Sequence, residues 1–190
     1  MEGCVYQMTA PPRPRPGTRP RSASPRPAEI VLVGAHGGAG TSTLAALLGP
    51  AWDTGVIRDP SSTGALRTGG RPVVLVARNT VMAAGHAIAA TTTITRQGTR
   101  IAVLVVVSDG LPEPAEARYR FRVLEGRVGA VVRMPFVPAL RAAGNPRQVH
   151  LPRKARRALA QIRTLASPPS QQGEPLNAST ASARPGGSDS

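Results

Sequence analysis

The residues best suited to chemistry lie between Gly34 and Thr43, where a glycine-rich stretch ends in three consecutive hydroxyl side chains. Glycine allows backbone N–H groups to converge on one point, and a helix N-terminus adds partial positive charge there. The end of this stretch, Gly40-Thr41-Ser42, matches the G-K-[ST] end of the phosphate-binding pattern G-x-x-x-x-G-K-[ST], except that Thr41 replaces the lysine. The candidate phosphate-binding residues are Gly34, His36, Gly37, Gly38, Ala39, Gly40, Thr41, Ser42 and Thr43. Ser42 is also the candidate Mg²⁺ ligand.

A strand and a helix must position this loop. The run from Ile30 to Val33 is apolar and rich in β-branched residues, which predicts a buried strand. Thr41 opens a predicted helix whose apolar residues up to Leu48 can face a sheet. A glycine-rich turn that only packs closely is the alternative, but the flanking strand and helix favour a phosphate loop.

These residues resemble the loop K-G-G-x-G-K-[ST] of the MinD/ParA (deviant Walker A) ATPases. Residues 36–42, H-G-G-A-G-T-S, keep the glycines and the final hydroxyl but carry His36 and Thr41 in place of both lysines. The form G-A-H-G-G-A-G also looks like an uncharacterised P-loop-like family encoded by high-GC actinobacteria. The resemblance implies ATP and Mg²⁺ as ligands. Binding is expected to be weak, because Lys154 is the only lysine in the chain.

A second match to the same family lies near the end of the domain. Arg133 to Arg141, R-M-P-F-V-P-A-L-R, resembles the family's v-I-P-y-D-p-x-l-r-x-A, a loop that lies beside the base, with Val137 in place of the aspartate. The strand predicted over 101–107 resembles the strand that carries the family's base-reading asparagine, and Ser108 or Asp109 follows it. Asp109 could accept from an adenine or guanine amino group, whereas Asp-Gly after a strand also predicts a plain turn.

The family's Walker B aspartate has no counterpart in the predicted order of strands. Residues 55–58 predict a brief second strand, and Asp59-Pro60 resembles the end of the family's D-x-D-P motif, although it is also turn sequence. The Walker B strand is expected to be deleted between this point and the next strand. Because phosphoryl transfer needs a placed metal and cations, we expect a degenerate pseudo-ATPase. An active ATPase that uses Arg58, Arg78 or Arg133 in place of the lysines is the alternative.

The remaining elements alternate between strand and helix. Further buried strands are predicted over 72–77, 101–107 and 128–132. Helices are predicted from Thr80, over 114–124 and over 152–166, with Thr91–Thr95 weakening the first of them. This pattern predicts an α/β protein with a three-layer P-loop NTPase-like fold, a mostly parallel sheet and a reduced size.

Composition divides the 190 residues into three parts. Residues 1–28 predict a disordered arm rich in Pro and Arg, 29–166 the folded domain, and 167–190 a disordered tail. The domain ends in the basic helix 152–166. With a net charge of +14, the arm and this helix are expected to attract DNA or an acidic surface non-specifically. Solvated segments without a partner are the alternative.

Several other classes of protein are not indicated. The lone Cys4 excludes an internal disulfide, and His36, His86 and His150 lack metal-ligand spacing. No apolar run suits a transmembrane segment and no leader opens the chain, so a cytoplasmic protein is expected. The leading hypothesis is a catalytically degenerate MinD/ParA-like factor that regulates or scaffolds partition, mobile-element maintenance or assembly through an unidentified protein partner. A basic DNA-associated module is the second alternative, and a homodimer is left open.

Overall fold

The computed structural model describes residues 30–57 and 66–167. The predicted arm at 1–28, Arg58 and the Asp59-Pro60 motif lie outside the described residues. The predicted tail at 167–190 also lies outside them, except for its first residue, Ser167.

Five strands form one sheet, and every neighbouring pair in it runs parallel. The strands are β1 (Ile30–Gly34), β2 (Ala51–Val56), β3 (Val73–Arg78), β4 (Ile101–Val107) and β5 (Val131–Met134). The helices are α1 (Thr41–Leu48), α2 (Val81–Arg96), α3 (Ala115–Glu125), α4 (Ala139–Ala142) and α5 (Arg153–Ala166), with a short 3₁₀ helix at Pro146–Gln148. None of the described helices has the length and apolarity needed to cross a membrane.

Helices pack on both faces of the sheet, because its central strands are apolar on both sides. Leu32 of β1 and Val74 of β3 belong to one core cluster, together with side chains from α1 and α5. Their neighbours Val33 and Leu75 belong to a second cluster with α2 and α3, which includes the fully buried Phe121. The predicted α/β class with parallel strands is confirmed.

Two elements differ from the sequence prediction. The second strand was expected at residues 55–58 but runs from Ala51 to Val56. This segment has no buried face, and it forms a strand because its backbone pairs with β1. The last strand was expected at residues 128–132 but runs from Val131 to Met134. The threonines that were predicted to weaken α2 lie inside it. The hydroxyls of Thr92, Thr93 and Thr95 each donate to the carbonyl one turn earlier, and the helix continues to Arg96.

Two arginines from the C-terminal part of the chain hold the end of α1. Arg147 Nε donates to Ala46 O at 3.0 Å, and Arg163 donates to Leu47 O at 2.8 Å and Leu48 O at 3.2 Å. The last carbonyls of a helix have no partner inside the helix, so these guanidinium groups satisfy them and complement the negative end of the helix dipole.

The sheet order β2-β1-β3-β4-β5 places a crevice beside the glycine-rich loop. The chain moves from β1 to β2 on one side and later to β3 on the other side. In open parallel sheets, such a reversal opens a crevice beyond the carboxyl ends of the two strands that flank it. The loops after β1 and β3 therefore line this crevice, which is where open parallel sheets generally bind ligands.

Candidate functional site

The glycine loop (Gly34–Thr43) leads into α1 with the helix N-terminus open. Gly38 and Gly40 have φ of 75° and 96°, a left-handed conformation that glycine adopts without strain. Gly40 is the N-cap of α1, and no side chain caps this helix. Leu44 N–H is the first amide to bond back, to Gly40 O at 2.9 Å. The N–H groups of residues 41–43 are thus left to bind an anion.

Thr41, which stands at the lysine position, is turned toward the strand. Its side chain is buried, and a Cβ added at Gly34 would come within 2.8 Å of Thr41 Oγ1. Gly34 is therefore the residue that lets Thr41 pack against the end of β1. The lysine position contributes a small hydroxyl to this site and no positive charge.

A carboxylate that the sequence did not predict reaches the loop from β2. Ser42 Oγ donates to Asp53 Oδ2 at 2.6 Å, and Asp53 Oδ1 accepts from Gly55 N at 2.9 Å. Asp53 pairs with Leu32 in the β1–β2 ladder, which sets it level with the middle of β1. The only local indication of a strand carboxylate was Asp53 itself, between Trp52 and Thr54. It was missed because the edge strand is exposed and lacks an apolar run.

Arg78 connects the loop to the next strand. Its backbone N–H donates to His36 Nε2 at 3.2 Å, and its Nε donates to Gly38 O at 2.8 Å. His36 Nδ1 donates to Gly37 O at 2.8 Å, so the ring acts as a neutral tautomer that accepts at Nε2. Of the three arginines predicted as substitutes, Arg78 is at the site and Arg133 pairs with Glu113 instead, at 3.1 Å. Arg58 lies outside the described residues.

Two adjoining cavities occupy the crevice. The loop cavity, of about 370 Å³, is lined by His36, Gly38, Ala39, Gly40, Thr41, Ser42, Thr43, Asp53, Gly55, Val56 and Arg78. Of the predicted residues, Gly34 and Gly37 do not line it. The apolar cavity, of about 130 Å³, shares Gly40, Thr43 and Arg78 with it and continues toward Asp109 and Phe136. The pair therefore offers a polar end and an apolar end to one ligand.

Asp109 forms the predicted turn and also faces the apolar cavity. Its Oδ1 accepts from Leu111 N at 2.9 Å, and its own N–H donates to Asn79 Oδ1 at 3.0 Å. Ser108 lines the same cavity. Val137, which stands at the family's aspartate position, is buried against the core and supplies no polar group.

The described residues contain no group of three or more His, Cys, Asp or Glu side chains that could hold a metal ion. No protein-family model matches the chain, and neither does any curated protein or solved structure.

Proposed function

We propose that this chain is a reduced MinD/ParA-like P-loop protein, with a three-layer P-loop NTPase-like fold, that binds a nucleotide with Mg²⁺. Its role is that of a regulatory or scaffolding factor whose state depends on the bound nucleotide, and turnover is slow or absent. The observation that carries the proposal is the Ser42–Asp53 hydrogen bond of 2.6 Å beneath an uncapped glycine loop.

The Ser42 and Asp53 oxygens suit Mg²⁺. Magnesium prefers oxygen ligands and takes one or two from the protein, with the rest from phosphate and water. A P-loop hydroxyl and a strand carboxylate are the groups that hold it in P-loop proteins. When bound, Mg²⁺ would neutralise phosphate charge.

Arg78 supplies the positive charge that the missing lysines would provide. Its Nε is held by Gly38 O at 2.8 Å, while its two terminal nitrogens have no hydrogen-bond partner among the described residues. A guanidinium presents several donors in a fixed plane and forms charge-assisted bonds to phosphate. The only lysine, Lys154, lies on α5. For phosphate binding, we therefore favour the alternative in which an arginine, Arg78, takes the place of the P-loop lysines.

Catalysis has less support than binding. Among the described residues that line the loop cavity, Asp53 is the only carboxylate, and the proposal assigns it to Mg²⁺. His36 is engaged through both ring nitrogens. Hydrolysis needs a group that orients or deprotonates the attacking water. With no such group free, the nucleotide acts mainly as a ligand.

The test is calorimetric titration of the full chain with inorganic tripolyphosphate, a probe without a base, in Mg²⁺ and in EDTA. We expect affinity in the micromolar range that weakens in EDTA. Asp53→Asn keeps the acceptor for Gly55 N and should lower the Mg²⁺-dependent affinity about tenfold. Glu125→Gln, the same change on the exposed end of α3, is the matched control. Absence of binding, or binding that ignores both Mg²⁺ and Asp53→Asn, overturns the proposal.

A second candidate function, non-specific DNA binding, is favoured by the charge of α5. Residues 126–167 contain no acidic residue, and Arg153, Lys154, Arg156 and Arg157 are exposed on the first turns of α5. No acidic side chain lies in that first turn. Positive charge at a helix N-terminus is unfavourable for the isolated protein, and a phosphate backbone would relieve it.

Salt titrations of binding to duplex DNA test this second function. Arg156→Gln with Arg157→Gln should lower affinity and reduce the salt slope by about two. Arg96→Gln with Arg122→Gln removes two exposed arginines elsewhere and is the control. Equal salt slopes for both double variants would exclude α5 as the contact.

A further inference from the structure

The apolar cavity ends in a carboxylate whose position is fixed. Its walls include Leu44, Met134 and Phe136, and Asp109 lies among them. Asp109 Oδ1 is occupied by Leu111 N at 2.9 Å, whereas Oδ2 has no hydrogen-bond partner among the described residues. One oxygen of a half-buried carboxylate therefore remains available to a ligand.

The turn that carries Asp109 is braced by a buried amide. Asn79 is only 4 % exposed, and its side chain accepts from Asp109 N at 3.0 Å and donates to Leu111 O at 3.1 Å. Both residues that flank Gly110 are held by the same side chain. The carboxylate is thus preorganised at the end of β4 before any ligand arrives.

A flat aromatic surface stands beside the carboxylate. A Cβ added at Gly110 would come within 3.0 Å of the Phe136 ring, so the turn and the ring are in contact. Arg141 lies over the same ring, with its guanidinium carbon 5.1 Å from the centroid. Aromatic rings and guanidinium planes both stack on nucleobases. The cavity therefore offers a stacking surface and, next to it, an acceptor for a base edge.

We propose that the apolar cavity binds guanine in preference to adenine, with Asp109 as the residue that determines this specificity. The inference rests on the proposed function, because the phosphates would occupy the loop cavity that shares Gly40, Thr43 and Arg78 with the apolar cavity. The preference for guanine follows from the hydrogen-bond donors and acceptors that each base presents along its edge.

An ionised carboxylate only accepts hydrogen bonds. Guanine presents two adjacent donors to it, N1–H and the 2-amino group. Adenine presents its 6-amino donor beside the lone pair of N1, which the carboxylate repels. A polar group in a cavity that a wrong ligand leaves unpaired discriminates between ligands, even where it is only half-buried, as Asp109 is. Ser108, whose Oγ accepts from Gly110 N at 3.3 Å, retains a hydroxyl proton for the 6-oxygen of guanine.

The experiment compares Mg²⁺-GTP, Mg²⁺-ATP and Mg²⁺-ITP on the full chain by calorimetry, with Mg²⁺-tripolyphosphate as the base-free arm. We expect GTP to bind about 10- to 100-fold more tightly than ATP. ITP, which lacks the 2-amino group, should lie between them. Asp109→Asn keeps the oxygen that accepts from Leu111 N and should remove most of the preference. It should leave tripolyphosphate affinity unchanged. Glu125→Gln is the matched control.

Equal affinities for GTP and ATP, or tighter ATP binding, overturn this inference and leave the proposed function standing, provided that tripolyphosphate binds. A GTP preference that survives Asp109→Asn in a protein with normal thermal unfolding also overturns the role of Asp109. Failure of tripolyphosphate and all three nucleotides to bind overturns both proposals.

Discussion

Two helices begin at the same edge of the sheet, beside the crevice, and their N-termini are built in opposite ways. α1 starts at Gly40, with φ of 96° and no side-chain cap. α2 starts at Thr80, whose Oγ1 accepts from Ala83 N at 3.2 Å, and the preceding Asn79 is buried. A capped helix satisfies its own amides, whereas an uncapped one presents them to a ligand. The chain leaves open the end where Ser42, Asp53 and Arg78 converge.

The largest loss of tripolyphosphate affinity should come from a substitution that distorts the uncapped N-terminus of α1. Gly40→Val places a β-branched side chain at a positive φ, which costs about 1–3 kcal/mol and displaces the loop amides. The loss of two charge-assisted hydrogen bonds of about 1.5 kcal/mol each predicts at least 100-fold weaker binding of Mg²⁺-tripolyphosphate. Calorimetry and thermal unfolding measure the two effects.

Gly98→Val is the matched control, because Gly98 also has a positive φ, 73°, and open space around an added Cβ, but lies after the end of α2. It should lose similar stability and retain binding. If both variants lose binding equally, the effect of Gly40→Val reflects general instability and the comparison of the two helix ends fails.

An intermediate effect is expected from Arg78, which ends β3 shortly before α2 and donates to the glycine loop that precedes α1. Arg78→Ala should weaken tripolyphosphate binding about 10- to 100-fold, since it removes a charged donor of about 1.5–3 kcal/mol. Arg133→Ala, at the corresponding end of β5 and paired with Glu113, should change binding little. The measurement is again calorimetric titration in Mg²⁺.

Thr41→Lys in the Arg78→Ala background sharpens this test. The new ammonium would stand at the helix N-terminus without repulsion from Arg78, and it should recover part of the lost affinity. Without ligand it should lower the melting temperature, because Thr41 is buried against Gly34. No ligand-dependent recovery would mean that the loop accepts phosphate only through its backbone.

The smallest effect on tripolyphosphate affinity should come from removing the cap at the N-terminus of α2. Thr80→Ala removes the cap of α2 and should cost about 1 kcal/mol, or a fall of roughly 3–5 °C in melting temperature. Tripolyphosphate affinity should stay unchanged, because the amides of α2 are outside both cavities. Weaker binding in this variant, measured at a temperature where it remains folded, would show that the two helix starts are coupled.

The sequence was sufficient to predict the elements that have a strong periodic signal. β1, the glycine loop and α1 follow from one apolar run and the glycine spacing, and β4 was predicted over its observed residues, 101–107. The family resemblance and the nucleotide remain predictions, because apolar periodicity fixes elements and not ligands. Asp109 was predicted both as a turn residue and as a base acceptor. The turn is confirmed.

The functional groups that prediction missed depend on long-range pairing. Asp53 reaches Ser42 only because β2 pairs with the outer side of β1, and a polar edge strand has no local pattern that reveals this. Likewise, Arg78 was one of three equivalent arginines until the β1–β3 pairing brought it to Gly38. Local sequence therefore specified the loop, and sheet order specified which charges meet it.

The arginine contacts at the far end of α1 have a consequence for the timing of synthesis. Arg163 joins residues 115 and 116 positions away in the chain. An eight-residue helix is marginal by itself, and the carbonyls of Leu47 and Leu48 gain their arginine partner only after α5 leaves the ribosome. Contacts between such distant residues form late in folding. A nascent chain that ends before Arg163 thus contains the complete glycine loop but lacks the contacts of Arg163 with the far end of α1.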